Sequence, residues 1–351
     1  MNRKLVIVCL IPIRYDFLCA SILDGLNQLN HEFYCDQLTN NATEQNYIQP
    51  EKILPQCKRS DFILIFSNTD YQKRKRFIMS NALAKKTVYI DGSDHNYFED
   101  PDGINIWPAI FKRENPVTFE YTPYKIKSLR NAIGNVVKCS KDLRQYFLVR
   151  RKSSPLPFAA EKAYFRFSAQ PGEKDINIAC LLRGYPNKRH EINKMVEGLK
   201  IPNTIIGAVS NSGWATDSWD TAKNEYYKTL SRSKISISFP GTGFDTGRFW
   251  EILANKCLLF SPPLNIRMPD PFIKFKHFVP YNNLNELKNR LHYYLQHNQE
   301  REQIALEGYK HLIKYHTSKK RAEYLLNTIN RKKVEAASRD TKIGDHTINN
   351  R

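Results

Sequence analysis

Cysteine is sparse and scattered: seven residues, at positions 9, 19, 35, 57, 139, 180 and 257, with no Cys-x-x-Cys pair. That excludes a disulfide scaffold and a zinc ribbon, and an odd, dispersed set suits reduced thiols in a cytosol-like compartment. Long apolar runs are missing too. The longest near the start, Leu5–Ile13, meets Arg14 and Asp16 well short of the roughly 20 residues a membrane-spanning helix needs. No small-residue cleavage site follows it, so it does not read as a signal peptide. Glycine and proline are ordinary at 14 and 18, and no repeat of solenoid period recurs. Fibrous, low-complexity and repeat architectures drop out.

Acidic residues are the remaining shortage. Thirty-five Asp+Glu face 54 Lys+Arg, a formal net charge of +19. Such an excess draws polyanions: nucleic acid, anionic lipid headgroups or phosphorylated small molecules. Local knots stand at Lys73–Arg76 and Arg150–Lys152, each also compatible with a solvated helix face. No helix-turn-helix, zinc finger or RNP signature accompanies them. The reading therefore favours an anionic membrane surface or a phosphate-rich ligand over nucleic acid. The expected location is cytoplasmic, peripheral on the inner face of a membrane.

At 351 residues, 41% hydrophobic, the chain suits two domains. Apolar runs alternate with longer amphipathic stretches, which predicts βα units on parallel sheets. In the first half, Lys4–Leu10, Phe62–Phe66 and Thr87–Ile90 read as strands, and Val136–Cys139 as a further short one capped by Ser140. The break at Arg151–Pro157 and the loop Ser168–Gly172 predict an N-terminal domain over 1–160. A second series over 170–330 has strands at Ile176–Leu181, Asn203–Gly207, Lys234–Phe239, Cys257–Ser261 and His277–Pro280, then helix from Leu284 to about Ile329. Residues 331–351 are polar and charged and read as a disordered tail.

The stretch Ser236–Ser261, SISFPGTGFDTGRFWEILANKCLLFS, carries the chemistry: strand, glycine-bearing loop, helix opening, strand. Gly241, Gly243 and Gly247 allow close approach of backbone to a ligand, and the helix amino end favours an anion. Arg248 adds a planar fork for phosphate oxygens. Glu251 is a candidate acceptor for ribose or sugar hydroxyls. An ordinary loop with turn glycines explains the pattern equally well. No Walker loop or dinucleotide fingerprint is present.

From Gly243 to Ser261 the sequence resembles the donor-binding half of GT-B glycosyltransferases, with the CgeB-type, family-1-like C-terminal domain as the nearest likeness. Val279–Tyr281, Leu284–Leu287, Tyr293–Leu295, Arg301–Ala305, Gly308, His316-Thr317 and Arg321 follow in the family's order. The resemblance is good from about 230 to 326; it departs at Asn255-Lys256, where the family usually has Cys-Gly or a small residue then glycine. It implies two doubly wound Rossmann-like domains facing across a cleft, with a helical C-terminal segment. It also implies a transferase that takes a sugar from a nucleotide-activated donor, with that donor as substrate and no cofactor. Residue by residue, Arg248 would bind the diphosphate and Glu251 the ribose, with Gly241, Gly243 and Thr246 lending contacts. Arg183 and Lys188, after the first strand of this domain, would neutralise leaving phosphate charge in place of a metal. The implied acceptor is a glycan or glycolipid of bacterial-type surface polysaccharide.

In the N-terminal half, Asp91-Gly92-Ser93-Asp94-His95 leaves a strand's carboxyl end, where open α/β sheets place ligands. Asp94, then His95, then Asp91 are the candidate general bases; an Asx-type turn is the rival. Asp100-Pro101-Asp102 looks like the metal-holding Asp-x-Asp of GT-A transferases, yet reads better as a tight turn. Two alternatives stay open: a metal-dependent transferase using Asp100 and Asp102, and a non-catalytic basic binding protein on the same fold.

Overall fold

The buried apolar runs become strands. A computed structural model describes residues 4–39, 42–67, 70–98, 100–101, 103–120, 129–168, 173–183, 187–207 and 219–348. In the first unit the strands are β1 (Val6–Leu10), β2 (Glu32–Cys35), β3 (Phe62–Phe66), β4 (Thr87–Asp91), β5 (Ala109–Lys112) and β6 (Ser154–Pro155). All pair in parallel, in the order β2-β1-β3-β4-β5-β6. A parallel strand needs cover on both faces, and FILIF of β3 is accordingly buried at every residue. The helices of this part are α1 (Phe17–Gln28), α2 (Ile53–Arg59), α3 (Tyr71–Ser80) and α4 (Leu129–Lys152). Asp16 starts α1 by accepting the Cys19 amide at 2.8 Å.

The second unit repeats the plan. Its strands are β7 (Ile176–Cys180), β8 (Thr204–Ile206), β9 (Ser233–Ile237), β10 (Leu258–Ser261) and β11 (Val279–Pro280), parallel in the order β11-β10-β9-β7-β8. Helices α5 (Asn187–Gly198), α6 (Trp219–Arg232), α7 (Gly247–Ala254), α8 (Leu284–Gln296) and α9 (Asn298–Tyr315) accompany them, and α10 (Ser318–Ile348) follows. Ile178, Ile192, Ile235, Ile237, Leu258, Phe260 and Leu291 share one buried cluster between sheet and helices. Each such side chain contributes roughly 1.5–3 kcal/mol through its removal from water.

In both sheets the third strand lies on the opposite side of the first strand from the second. The chain direction therefore switches between β1 and β3, and again between β7 and β9. Open α/β sheets bind ligands outside the carboxyl ends of the strands at such a switch. The second unit thus favours the loops after β7 and β9.

Three expectations are corrected. Val136–Cys139 is not a strand but part of α4. Ile133, Val136, Val137, Leu143 and Phe147 recur at helical spacing, and Lys138 pairs with Asp142 one turn on at 2.6 Å. Residues 331–348 are helical, because Lys, Arg, Glu and Ala extend α10 by propensity with little apolar content. Finally, contacts group Lys319–Arg351 with Met1–Pro157, and leave Phe158–Ser318 as the other unit. Residues 319–330 thereby leave the domain that the sequence assigned them to. The Tyr324 ring meets Phe111 edge-on at 6.5 Å, and Lys333 Nζ lies 3.8 Å from the Phe62 ring centre.

Candidate active site

The loop between β9 and α7 is held in place from several directions. Ser238 at the end of β9 donates its amide to Phe260 O at 2.8 Å and accepts the Tyr281 hydroxyl on its carbonyl at 3.0 Å. The Gly241 amide donates to Gly243 O at 3.1 Å, closing a tight turn. Asp245, buried, accepts from the Phe158 amide at 2.6 Å and from Trp250 Nε1 at 2.8 Å. Those bonds anchor the loop to the helix it feeds. Sequence reading passed over Asp245 because a loop aspartate gives no sign of burial.

Thr246 precedes α7 in extended conformation, with its hydroxyl 3.3 Å from Ser238 Oγ rather than capping the helix. The first turn of α7 therefore has no side-chain cap and no acidic residue. Its amides and dipole favour an anion.

Two guanidinium groups meet there. Arg189, on α5, donates from Nη1 to Arg183 O at 2.8 Å and from Nη2 to Phe239 O at 2.9 Å. It thus ties the loop after β7 to the loop after β9, across the switch point. Arg248 stands in the first turn of α7. The Nε atoms of both are buried without a hydrogen-bond partner, and neither forms a salt bridge among the described residues. Burial, together with the positive charge of Arg248, pushes the Arg189 pKa down to about 10. Glu251 offsets part of the Arg248 charge, but two cations against one carboxylate leave a positive surplus at this helix end, which favours an anion. Gly241 completes it: a Cβ there would lie 3.3 Å from Arg189 Nη2.

The structure thus brings Arg248, Gly241, Gly243 and Thr246 together, and adds Arg189. Lys188, by contrast, is half-exposed and pairs with Glu191 at 2.7 Å on the outer face of α5. Arg183 contributes its carbonyl to Arg189 and is itself exposed. Helical phase, invisible in a Lys-Arg dipeptide, decides which of the two cations points at the loop.

Glu251 lies one turn into α7, where it accepts the Tyr226 hydroxyl at 2.8 Å and that of Tyr227 at 3.4 Å. Burial raises its pKa, while the Tyr226 bond and the Arg248 charge oppose the shift. After α7, Lys256 takes a left-handed φ of 53°, the conformation for which glycine is the usual choice. The resemblance expects glycine at this position. In this chain the Lys256 ammonium instead lies 4.8 Å from the Tyr309 ring centre.

In the first unit, Asp91 ends β4 wholly buried. Its Oδ1 accepts from Lys112 Nζ at 2.9 Å and from Ser93 Oγ at 2.7 Å. That geometry ties Asp91 to the Gly92 turn and to β5. Asp94 is half-exposed and paired with Arg113, whereas His95 is exposed and stacks on Tyr97 at 4.8 Å. Asp16, which sequence reading used only as the end of a loop, stands beside them: its Oδ2 is 3.6 Å from where a Gly92 Cβ would be. Burial raises its pKa, opposed by the Cys19 amide and the Arg113 charge. A carboxylate of raised pKa at the end of β1 lies at this sheet's own switch point.

Asp100 accepts from Lys75 at 2.5 Å, Tyr71 at 3.1 Å and the Gly103 amide at 3.1 Å. Those bonds define the expected turn; Asp102 lies outside the described residues. No cluster of three His, Cys, Asp or Glu suited to a metal occurs among the described residues. The knot at Lys73–Arg76 is also partly internal. Arg74 is buried against Asp36 at 2.9 Å and caps the Ile11 carbonyl, and Lys75 is spent on Asp100.

Residues 188–327 match a family described as glycosyl transferase-like. No curated protein matches the chain. Among solved structures, a glycosyltransferase from Rickettsia africae ESF-5 is similar at TM-score 0.58 and 13% identity, covering 94% of this chain and 99% of that one. An α-glucosyltransferase in complex with UDP-glucose and abasic-site DNA is similar at TM-score 0.58 and 8% identity, covering 93% and 99%. HepE of Anabaena, in complex with UDP-glucose, is similar at TM-score 0.55 and 10% identity, covering 93% and 100%. Residues 188–327 thus match a glycosyl transferase-like family, in a chain whose two parallel α/β units have the GT-B fold.

Proposed function

We propose that this protein is a metal-independent glycosyltransferase that moves a sugar from a nucleoside-diphosphate donor to a glycan or glycolipid acceptor in surface polysaccharide synthesis. The observation that carries it is the pair Arg189 and Arg248, each with a buried Nε that has no hydrogen-bond partner, beside the uncapped amino end of α7. Departure of the nucleoside diphosphate builds negative charge on its phosphates, and fixed cations and amides stabilise that charge where another transferase uses a metal. Glu251, already accepting two hydroxyls, is placed to exchange the Tyr226 bond for a ribose hydroxyl. The acceptor hydroxyl needs a base in the first unit. Asp94 leads and His95 follows; Asp91 drops out as a base because its carboxylate is tied to Lys112; Asp16 enters as a rival.

The test is thermal melting with a panel of nucleoside diphosphates, with and without EDTA, starting from UDP because the similar structures hold UDP-glucose. One nucleotide should raise Tm in proportion to ln(1 + [L]/Kd), unaffected by EDTA. Absence of any response, or a response abolished by EDTA, overturns the reading.

A further inference from the structure

Helix α4 carries an exposed apolar stripe. Ile133, Val136, Val137 and Phe147 are 59%, 68%, 64% and 59% exposed, and Leu143 is 37%. At 100° per residue these five fall within about 120° of arc, the width of an apolar face that other helices turn toward a core. Among residues 133–152 only Val149 is fully buried. The helix is moored near its end instead: Tyr146 donates to Val117 O at 3.1 Å, Arg150 to Pro116 O at 3.2 Å, and Asn115 to Ser153 Oγ at 3.0 Å.

The same stretch carries Lys138, Lys141, Arg144, Arg150, Arg151 and Lys152 against the single acid Asp142. Arg144 and Arg151 share the apolar arc, and Lys141 and Lys152 border it. A second copy of the chain is a poor partner, since a two-fold contact sets each helix's cations against their own copies. Apolar side chains ringed by cations match the headgroup–acyl boundary of an anionic bilayer. Beside the basic end of α4 lies a cavity of about 470 Å³ lined by Ile104, Asn105, Trp107, Pro108, Ile110, Arg151 and Lys152. It opens by the residues that enter β5, at the amino ends of the strands. The ligand crevice of this sheet lies at the opposite ends.

We infer that α4 is an interfacial helix that docks this protein on an anionic lipid surface, with Val136, Val137 and Phe147 inserted and Lys141, Arg144 and Arg151 on lipid phosphates. The cavity beside Arg151 and Lys152 receives a headgroup. The inference is independent of the donor site. Within Lys73–Arg76, Arg74 and Lys75 have no part in it, because both are engaged internally.

The experiment is co-sedimentation with vesicles of phosphatidylcholine alone or with about 30% phosphatidylglycerol, at low and raised salt. The full chain is compared with V136Q/V137Q/F147Q and with K141Q/R144Q/R151Q. Every replaced side chain is on the exposed face, so melting curves should be unchanged. Full chain should bind the anionic vesicles; each triple variant should lose about tenfold or more. Salt should weaken the full chain and the apolar variant more than the charge variant. Failure of the full chain to bind anionic vesicles overturns the inference, as does wild-type binding by the apolar variant. Equal binding to neutral vesicles, or a concentration-dependent dimer abolished by the apolar substitutions, does so too. Nucleotide-induced stabilisation of both variants should match the parent chain, which separates this test from that of the donor site.

Discussion

Lys112 and Asp91 form an ion pair 2.9 Å long in which both side chains are completely buried. They end the neighbouring strands β5 and β4 and are register partners in the sheet. Burial lowers the Lys112 pKa, opposed by the Asp91 charge. Asp91 Oδ2 has no hydrogen-bond partner, so Lys112 and Ser93 bear the compensation of this carboxylate. Lys112→Met should therefore cost about 3–5 kcal/mol in chemical denaturation, because it strands a buried charge. Lys112→Met combined with Asp91→Leu should recover much of that loss. A single variant as stable as the parent would show that the pair is dispensable.

Arg189→Ala and Arg248→Ala should each lower transfer by on the order of 10²–10³-fold with the fold intact. Lys188→Ala should change it little, because Lys188 is paired with Glu191 on the solvent side of α5. Steady-state rates across the three variants check the assignment. An equal loss from Lys188→Ala would move the phosphate site away from the β9–α7 loop.

Three single variants separate the candidate bases. Asp94→Asn, His95→Ala and Asp16→Asn each remove one group; asparagine at 16 keeps the cap on α1, being as good an N-cap as aspartate. The base is the residue whose loss cuts transfer by about 10²-fold or more while donor affinity survives. The Asp94–Arg113 pair handicaps Asp94, because its Oδ1 is already occupied by the guanidinium. Full activity in all three variants would place the base elsewhere.

The His277 Nδ1 accepts the Ile273 amide at 3.0 Å and its ring stacks on His311 at 4.2 Å. Burial, His311 and Lys276 push its pKa from 6.5 to about 4, with Glu307 opposing. The unfolded chain therefore takes up this proton before the folded one. Stability contributed by neutral His277 is intact above pH 6.5, declines as pH falls, and is gone once pH passes below about 4. Urea denaturation at pH 7.5, 6 and 5 should show that decline, with a shallower slope in His277→Gln. Identical slopes would remove His277 as its source.

The sequence by itself determined the two parallel sheets, since runs such as FILIF have no polar face to turn to water. It also determined the glycine loop entering α7, and the resemblance singled out Arg248 and Glu251 along one contiguous stretch. Tertiary structure decided what depends on side-chain direction and on neighbours distant in sequence. Arg189 rather than Lys188 faces the loop; Asp91 is consumed by Lys112; Asp16 joins Asp94 through strands 75 or more residues apart in the chain. It also turned Val136-Val137 from an expected strand into the outer face of a helix. A short β-branched pair satisfies either periodicity, and only packing around it selects one.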